Sequence, residues 1–127
     1  MRSQLLALAM GTALLAWWSC GGGTDLSGSN QTDTISVGNY YFAPYLDSVT
    51  ATANDSVTLT FLWEIGGVAH NITWDTGPGG DVPTNSPNLT SGIYAATLGL
   101  GTYTYHCTFH SVSDGMNGTV VVLPHGP

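Results

Sequence analysis

From Ser56 to Glu64 apolar and polar residues alternate: Val57, Leu59, Phe61 and Trp63 fall on one face, Thr58, Thr60 and Glu64 on the other, with Leu62 the one interruption. Successive side chains of a strand point to opposite faces, so this period of two predicts a half-buried strand. Shorter stretches of the same kind recur along the chain. Thr34 to Val37 reads as a first strand, followed by the aromatic cluster Tyr40, Tyr41 and Phe42 and a turn at Pro44. Val49 to Ala53 reads as extended and ends at Asn54-Asp55, a natural turn pair. Gly66-Gly67 breaks the alternating strand, and Val68 to Asp75 resumes it with His70, Ile72 and Trp74 on one side. Asp75 to Gly92, rich in Pro, Gly, Asn and Ser, reads as a loop with room for one short strand. Tyr94 to Leu98 is a further strand and Gly99-Leu100-Gly101 a turn. Thr102 to Cys107 sets Tyr103, Tyr105 and Cys107 on one face, and the apolar run Gly118 to Leu123 suits a strand buried on both sides. No stretch carries a helical pattern. Seven to eight short strands with turns between them predict an all-β fold, a β-sandwich.

Length and composition agree with that picture. The chain has 127 residues, one domain's worth, and its 43% of hydrophobic residues suffices for one core. Thr, Val, Gly, Tyr and Trp are abundant, a mixture that packs on pleated surfaces better than on helices. Residues 1–19 read as an export signal: Arg2 follows the amino terminus, an apolar run extends from Leu5 to Trp18, and the small Ser19 precedes Cys20. Cys20 followed by Gly-Gly-Gly-Thr-Asp resembles a bacterial lipoprotein, in which the cysteine is lipidated and a tether follows, although Trp17 and Trp18 stand where that pattern usually has Leu and a small residue. Residues 20–33 are then a lipidated cysteine and flexible linker, 34–124 the folded domain and 125–127 a tail that includes His125, to which no role is assigned. The alternatives are cleavage that leaves Cys20 a free thiol, and a disulfide between Cys20 and Cys107, the two cysteines of the chain.

The candidate chemistry lies between Tyr103 and Val122. Cys107, His110 and Met116 offer a thiolate, an imidazole and a thioether on a loop joining two strands. Soft sulfur ligands hold Cu(I) and imidazole suits Cu(II), so a centre that cycles between the two states without rebuilding needs both. A trigonal set of two histidines and a cysteine with a long axial methionine is the blue-copper arrangement. The second histidine has to come from elsewhere, and His70 is the candidate. Structural zinc is a poorer fit, because it takes four Cys or His ligands and no thioether.

These residues stand in motifs that resemble the small cupredoxins of the plastocyanin, pseudoazurin and halocyanin type. Ala69-His70-Asn71-Ile72-Thr73-Trp74-Asp75 is similar to the segment around that family's first copper histidine, and Gly101 to His110, continuing to Met116-x-Gly118-x-Val120, is similar to its ligand loop. A third, weaker match runs from Asn39 to Pro44 and on through Asp47-Ser48-Val49-Thr50 and Asp55-Ser56-Val57-Thr58. The family usually places four residues between the second histidine and the methionine, and this chain has five, Ser111 to Gly115, which would lengthen or tilt the Met116 contact. The resemblance implies a cupredoxin-like Greek-key sandwich holding one copper ion on His70, Cys107, His110 and Met116, with Asn71 tying the two ligand segments together.

The implied activity is single-electron transfer between redox partners, with no substrate transformed. His110 is then the exit for the electron, collared by Phe109, Val112, Gly66 and Gly67. His106, on the outer face beside Cys107, is a second entry point. Two other readings remain open: a copper storage or delivery protein, disfavoured by a ligand placed mid-strand, and a metal-free adhesion or spacer module. With Arg2 as the one basic residue and a net charge of −7, the chain cannot neutralise nucleic-acid phosphates. Its expected partner is a cationic redox protein, such as a basic c-type cytochrome or the docking face of an oxidase. The expected state is a monomer, exported to the periplasm or cell surface and held at the membrane by the lipid on Cys20.

Overall fold

A computed structural model describes residues 33–64 and 66–127; the export signal read at 1–19 and, apart from Asp33, the lipidated cysteine and linker read at 20–33 lie outside them. Eight strands follow in order: β1 Thr34–Gly38, β2 Tyr41–Ala43, β3 Leu46–Thr50, β4 Ser56–Trp63, β5 Thr73–Thr76, β6 Gly92–Gly99, β7 Gly101–His106 and β8 Asn117–Leu123. They form two four-stranded sheets, ordered β2-β1-β4-β6 and β3-β8-β7-β5. Neighbours run antiparallel except β1 with β4 and β3 with β8, which are parallel. Parallel neighbours cannot be joined by a hairpin, so the chain crosses from sheet to sheet, and the result is the Greek-key sandwich of the cupredoxin type that the motifs implied.

The alternation of β4 carries directly into the core. Val57, Leu59, Phe61 and Trp63 are buried between the sheets, while Thr58, Leu62 and Glu64 are exposed. Facing them from the second sheet are Tyr103, Tyr105, Val120 and Val122. The Tyr105 ring is the hub, with centroids 5.0 Å from Phe42, 5.1 Å from Phe61 and 5.3 Å from Trp74, all in edge-on geometry. Such aromatic pairs add about 0.5–1.5 kcal/mol each beyond the area they bury.

Three expectations change in the folded chain. The last strand is not buried on both faces: Gly118, Val120 and Val122 point into the core, whereas Thr119 and Val121 are half-exposed, because among the described residues no further layer covers the outside of its sheet. The strand expected at Val49 to Ala53 runs from Leu46 to Thr50, since its pairing with β8 begins at Leu46↔Thr119. Ala51 to Ala53 instead lead into the turn in which the Thr52 hydroxyl donates to the Ser56 carbonyl, 2.9 Å. The largest difference is Val68 to Asp75, where regular pairing starts at Thr73. Before it, His70 makes an isolated bridge with Leu89. The segment 85–89 explains this, because Ser86 Oγ accepts the Ile72 amide (2.7 Å) and Asn85 Oδ1 accepts the Trp74 amide (3.0 Å), contacts that a partner strand would otherwise make. Among the described residues the one helical segment is a single 3₁₀ turn, Pro78–Gly80.

Candidate metal centre

Two segments distant in sequence meet at one end of the sandwich. His70 is seated by its bridge to Leu89, in which each amide donates to the other residue's carbonyl at 2.9 Å. Cys107 is the residue after β7, and the chain from there to β8 is wound into consecutive turns. The amides of His110 and Ser111 donate to the Cys107 carbonyl (3.2 and 2.9 Å), and those of Asp114 and Met116 donate to the His110 carbonyl (3.0 and 3.2 Å). Gly115 completes the winding with φ +66°, a conformation that glycine adopts at no steric cost. The Cys107 amide then donates to the Met116 carbonyl (3.0 Å), so the methionine returns to the cysteine despite the additional loop residue. Met116 is fully buried.

The side chains of His70, Cys107 and His110 converge. Cys107 Sγ lies 3.7 Å from His70 Nδ1 and 3.6 Å from His110 Nδ1, and the two Nδ1 atoms are 3.1 Å apart. Among the described residues these three form a cluster whose donor atoms lie within 4.8 Å of one another. Two imidazole lone pairs 3.1 Å apart repel unless a proton or a cation lies between them. A triangle of 3.1, 3.6 and 3.7 Å sides has a circumradius of about 2.0 Å, close to the ~2.0–2.3 Å at which zinc holds imidazole nitrogen and thiolate sulfur. The donor set therefore fits a first-row transition ion, and its mixture of thiolate and imidazole suits copper.

The two histidines sit in unlike surroundings. His70 is enclosed at 2% exposure, and burial, with His110 beside it, pushes its pKa below the ordinary imidazole range, which keeps it in the neutral ligating form. Its Nε2 is buried without a hydrogen-bond partner among the described residues. His110 is half-exposed. Tyr40 stands edge-on to both rings, with centroids 4.7 Å from His110 and 6.1 Å from His70.

Asn71 bridges the two segments. Its Oδ1 accepts the Thr108 amide (2.9 Å), and its Nδ2 donates to Thr108 Oγ1 (2.8 Å) and Asn88 Oδ1 (2.9 Å). His106 faces away from the cluster and pairs with Asp75, its Nδ1 2.7 and 2.9 Å from the two carboxylate oxygens. Cys107 is a free, buried thiol.

The idea of a ligand held mid-strand is corrected here, since His70 sits on an isolated bridge and it is burial that encloses it. Phe109 stands near His110, with ring centroids 6.1 Å apart, whereas Val112 points fully into solvent. Sequence reading missed Tyr40, Thr108, Asn88 and Leu89 as parts of this end of the molecule. For Thr108, its place between Cys107 and His110 was a usable signal. For Tyr40, Asn88 and Leu89 there was none, because only the fold brings them near.

Comparison with known proteins follows the same lines. A plastocyanin from Dryopteris crassirhizoma is 32% identical over 105 residues, which span 68% of this chain and 91% of the relative. Among solved structures, a purple cupredoxin from Nitrosopumilus maritimus superposes with a TM-score of 0.54 at 25% identity, over 70% of this chain and 97% of its own. A reduced auracyanin from Roseiflexus castenholzii does so with a TM-score of 0.56 at 21% identity, over 76% and 100%. No family model matches the chain.

Proposed function

This chain belongs to the cupredoxin family, and from that premise we propose that it is a mononuclear blue-copper electron carrier whose ligands are His70, Cys107, His110 and Met116. Cupredoxins bind one copper and carry electrons rather than transform a substrate. The carrying observation is the convergence of one thiolate donor and two imidazole nitrogens within 3.7 Å of one another, from segments 37 residues apart. Bound copper supplies the one-electron couple. The protein would supply donors acceptable to both oxidation states: Cys107 as thiolate, the two histidines as imidazoles, and Met116 as a thioether. Asn71 locks the two ligand segments, so little has to move when the charge changes.

His110 is the exit for the electron, being the half-exposed ligand, and His106, one peptide bond from the thiolate, is a second port. The partner is a cationic redox protein, a basic c-type cytochrome or an oxidase face, because the chain carries −7. Residues 1–19 act as an export signal and 20–33 as a lipidated cysteine and tether. Residues 34–124 are the functional domain and 125–127 a tail, so the carrier works as a monomer outside the cytoplasm, held to a membrane by Cys20.

Adding Cu(II) to the apo-protein should produce an intense blue or purple colour at one equivalent. Cys107→Ser should remain folded and colourless. Met116→Leu should keep the colour and shift the reduction potential, as expected where the axial ligand tunes it. A colourless wild type would reject the function, and a coloured Cys107→Ser would reject the ligand set.

A further inference from the structure

Tyr40 combines two features that have no common structural purpose. With Asn39 it forms the two-residue connection between β1 and β2, whose last and first residues, Gly38 and Tyr41, are paired. At this position the backbone takes φ +70°, a left-handed conformation that turns reserve for Gly or Asn and that a bulky side chain rarely adopts. The strain gains no core packing, since the ring is 46% exposed. What it does reach is the ligand pair. The ring meets His110 at 4.7 Å and 87°, and His70 at 6.1 Å and 89°. The turn is itself braced, because Gly66 lies so close to the Asn39 side chain that a Cβ there would come within 2.9 Å of its Oδ1. Backbone strain of this kind persists where surrounding structure enforces it, and it clusters at functional sites.

His110 needs such a brace more than His70 does. His70 is enclosed and bridged to Leu89 through its backbone, whereas His110 sits half-exposed on a wound turn. Among the described residues, the ring besides His70 that reaches it from outside the 107–116 loop is Tyr40. We propose that Tyr40 is a positioning residue, its ring held over the site by the left-handed turn so that the His110 imidazole stays with Nδ1 directed at Cys107 and His70. The role rests on the copper reading above and deepens it: the exposed ligand is kept in place by a residue that touches no metal.

The test uses Tyr40→Gly and Tyr40→Phe in the 127-residue protein. Glycine suits φ +70°, so Tyr40→Gly should melt no lower than wild type, while its His110 ring becomes mobile in the apo-protein by NMR relaxation. Copper release from Tyr40→Gly to a chelator should quicken about three- to tenfold, the equivalent of losing one edge-to-face ring pair. Tyr40→Phe keeps the ring and should match wild type in both measurements. Equal His110 mobility and equal copper release in Tyr40→Gly and wild type would overturn the role. So would a Tyr40→Phe that behaves like Tyr40→Gly, or a marked fall in the melting temperature of Tyr40→Gly, which would make the ring a brace of the hairpin instead. A wild type that stays colourless with Cu(II) would reject the copper reading instead, leaving the apo-protein measurement to decide on Tyr40.

Discussion

Asp47 is the residue whose chemistry fits its place least comfortably. It lies on β3 with its side chain turned into the sandwich at 6% exposure. Its Oδ1 accepts the Ser48 amide at 2.9 Å, but Oδ2 is buried with no partner among the described residues, as is the Tyr105 hydroxyl. Burial is the main cause that raises the Asp47 pKa above the ordinary carboxylate value, with a smaller push from Asp33 and an opposing pull from the Ser48 amide. The Tyr105 phenol is raised as well, by burial first and then by the Asp47 charge. The sign follows from linkage. Between the unfolded value of about 3.9 and the raised folded value, the native state binds more protons than the unfolded chain, so stability falls as pH rises through that window. Above the window the buried charge is a constant cost. Asp47→Asn should therefore melt higher than wild type at pH 7 and lose that stretch of pH dependence. Parallel pH–stability curves for the two proteins would show that Asp47 ionises without cost.

At the scale of elements, the contact between β7 and β8 carries the site. Tyr105 pairs with Gly118 across these strands, and the Tyr105 ring lies directly over the glycine, where a Cβ would overlap the phenol end of the ring. The ring cannot swing aside, because Phe42, Phe61 and Trp74 hold it from the other directions. Glycine at 118 is thus required for close approach rather than for backbone freedom. Gly118→Ala should cost about 1–3 kcal/mol, as overpacking a filled core does. For a domain of this size that lowers the melting temperature by roughly 4–8 °C per kcal/mol, readable by circular dichroism. An unchanged melting temperature would mean that the ring stack yields. Cys107 and Met116 flank these two strands, so the substitution should disturb copper binding together with stability, whereas Tyr40→Gly should alter copper release without lowering the melting temperature.

At the scale of the whole molecule the dominant property is charge. Eight acidic residues stand against one basic residue, Arg2, and among the described residues the acids are not equivalent. Asp47 is buried and Asp75 is paired with His106, while the exposed Glu64 accepts a hydrogen bond from the Tyr41 hydroxyl at 3.0 Å. Asp55, Asp81 and Asp114 are exposed. A uniformly negative carrier attracts a cationic partner from a distance, and that attraction is screened beyond about 8 Å at physiological salt. Electron transfer to a basic cytochrome should therefore slow as salt rises, and transfer to an acidic one should quicken. Stopped-flow rates that are equal for both across the salt range would reduce the charge to a solubility device.

Local pattern was sufficient for some of this. The period of two in Val57 to Trp63 requires an inward and an outward face wherever the strand lies, because side-chain direction alternates along any extended backbone. The donor types were equally plain, since a cysteine, two histidines and a methionine can be read as chemistry before anything is folded. Other features depend on which segments become neighbours, and pairing across dozens of residues leaves no local mark. The side chains of Asn85 and Ser86 take the hydrogen bonds of Ile72 and Trp74, so His70 stands on a bridge and not in the strand that its pattern suggested. The outer face of β8 is half-exposed, although its sequence is apolar enough for burial on both sides, because covering a sheet requires a third layer that the described residues do not supply. Tyr40 reads as one more aromatic in a cluster of three. Only the turn after β1, with its left-handed backbone, carries the ring to the two histidines, and a ring contact between residues 70 positions apart is decided by tertiary packing alone.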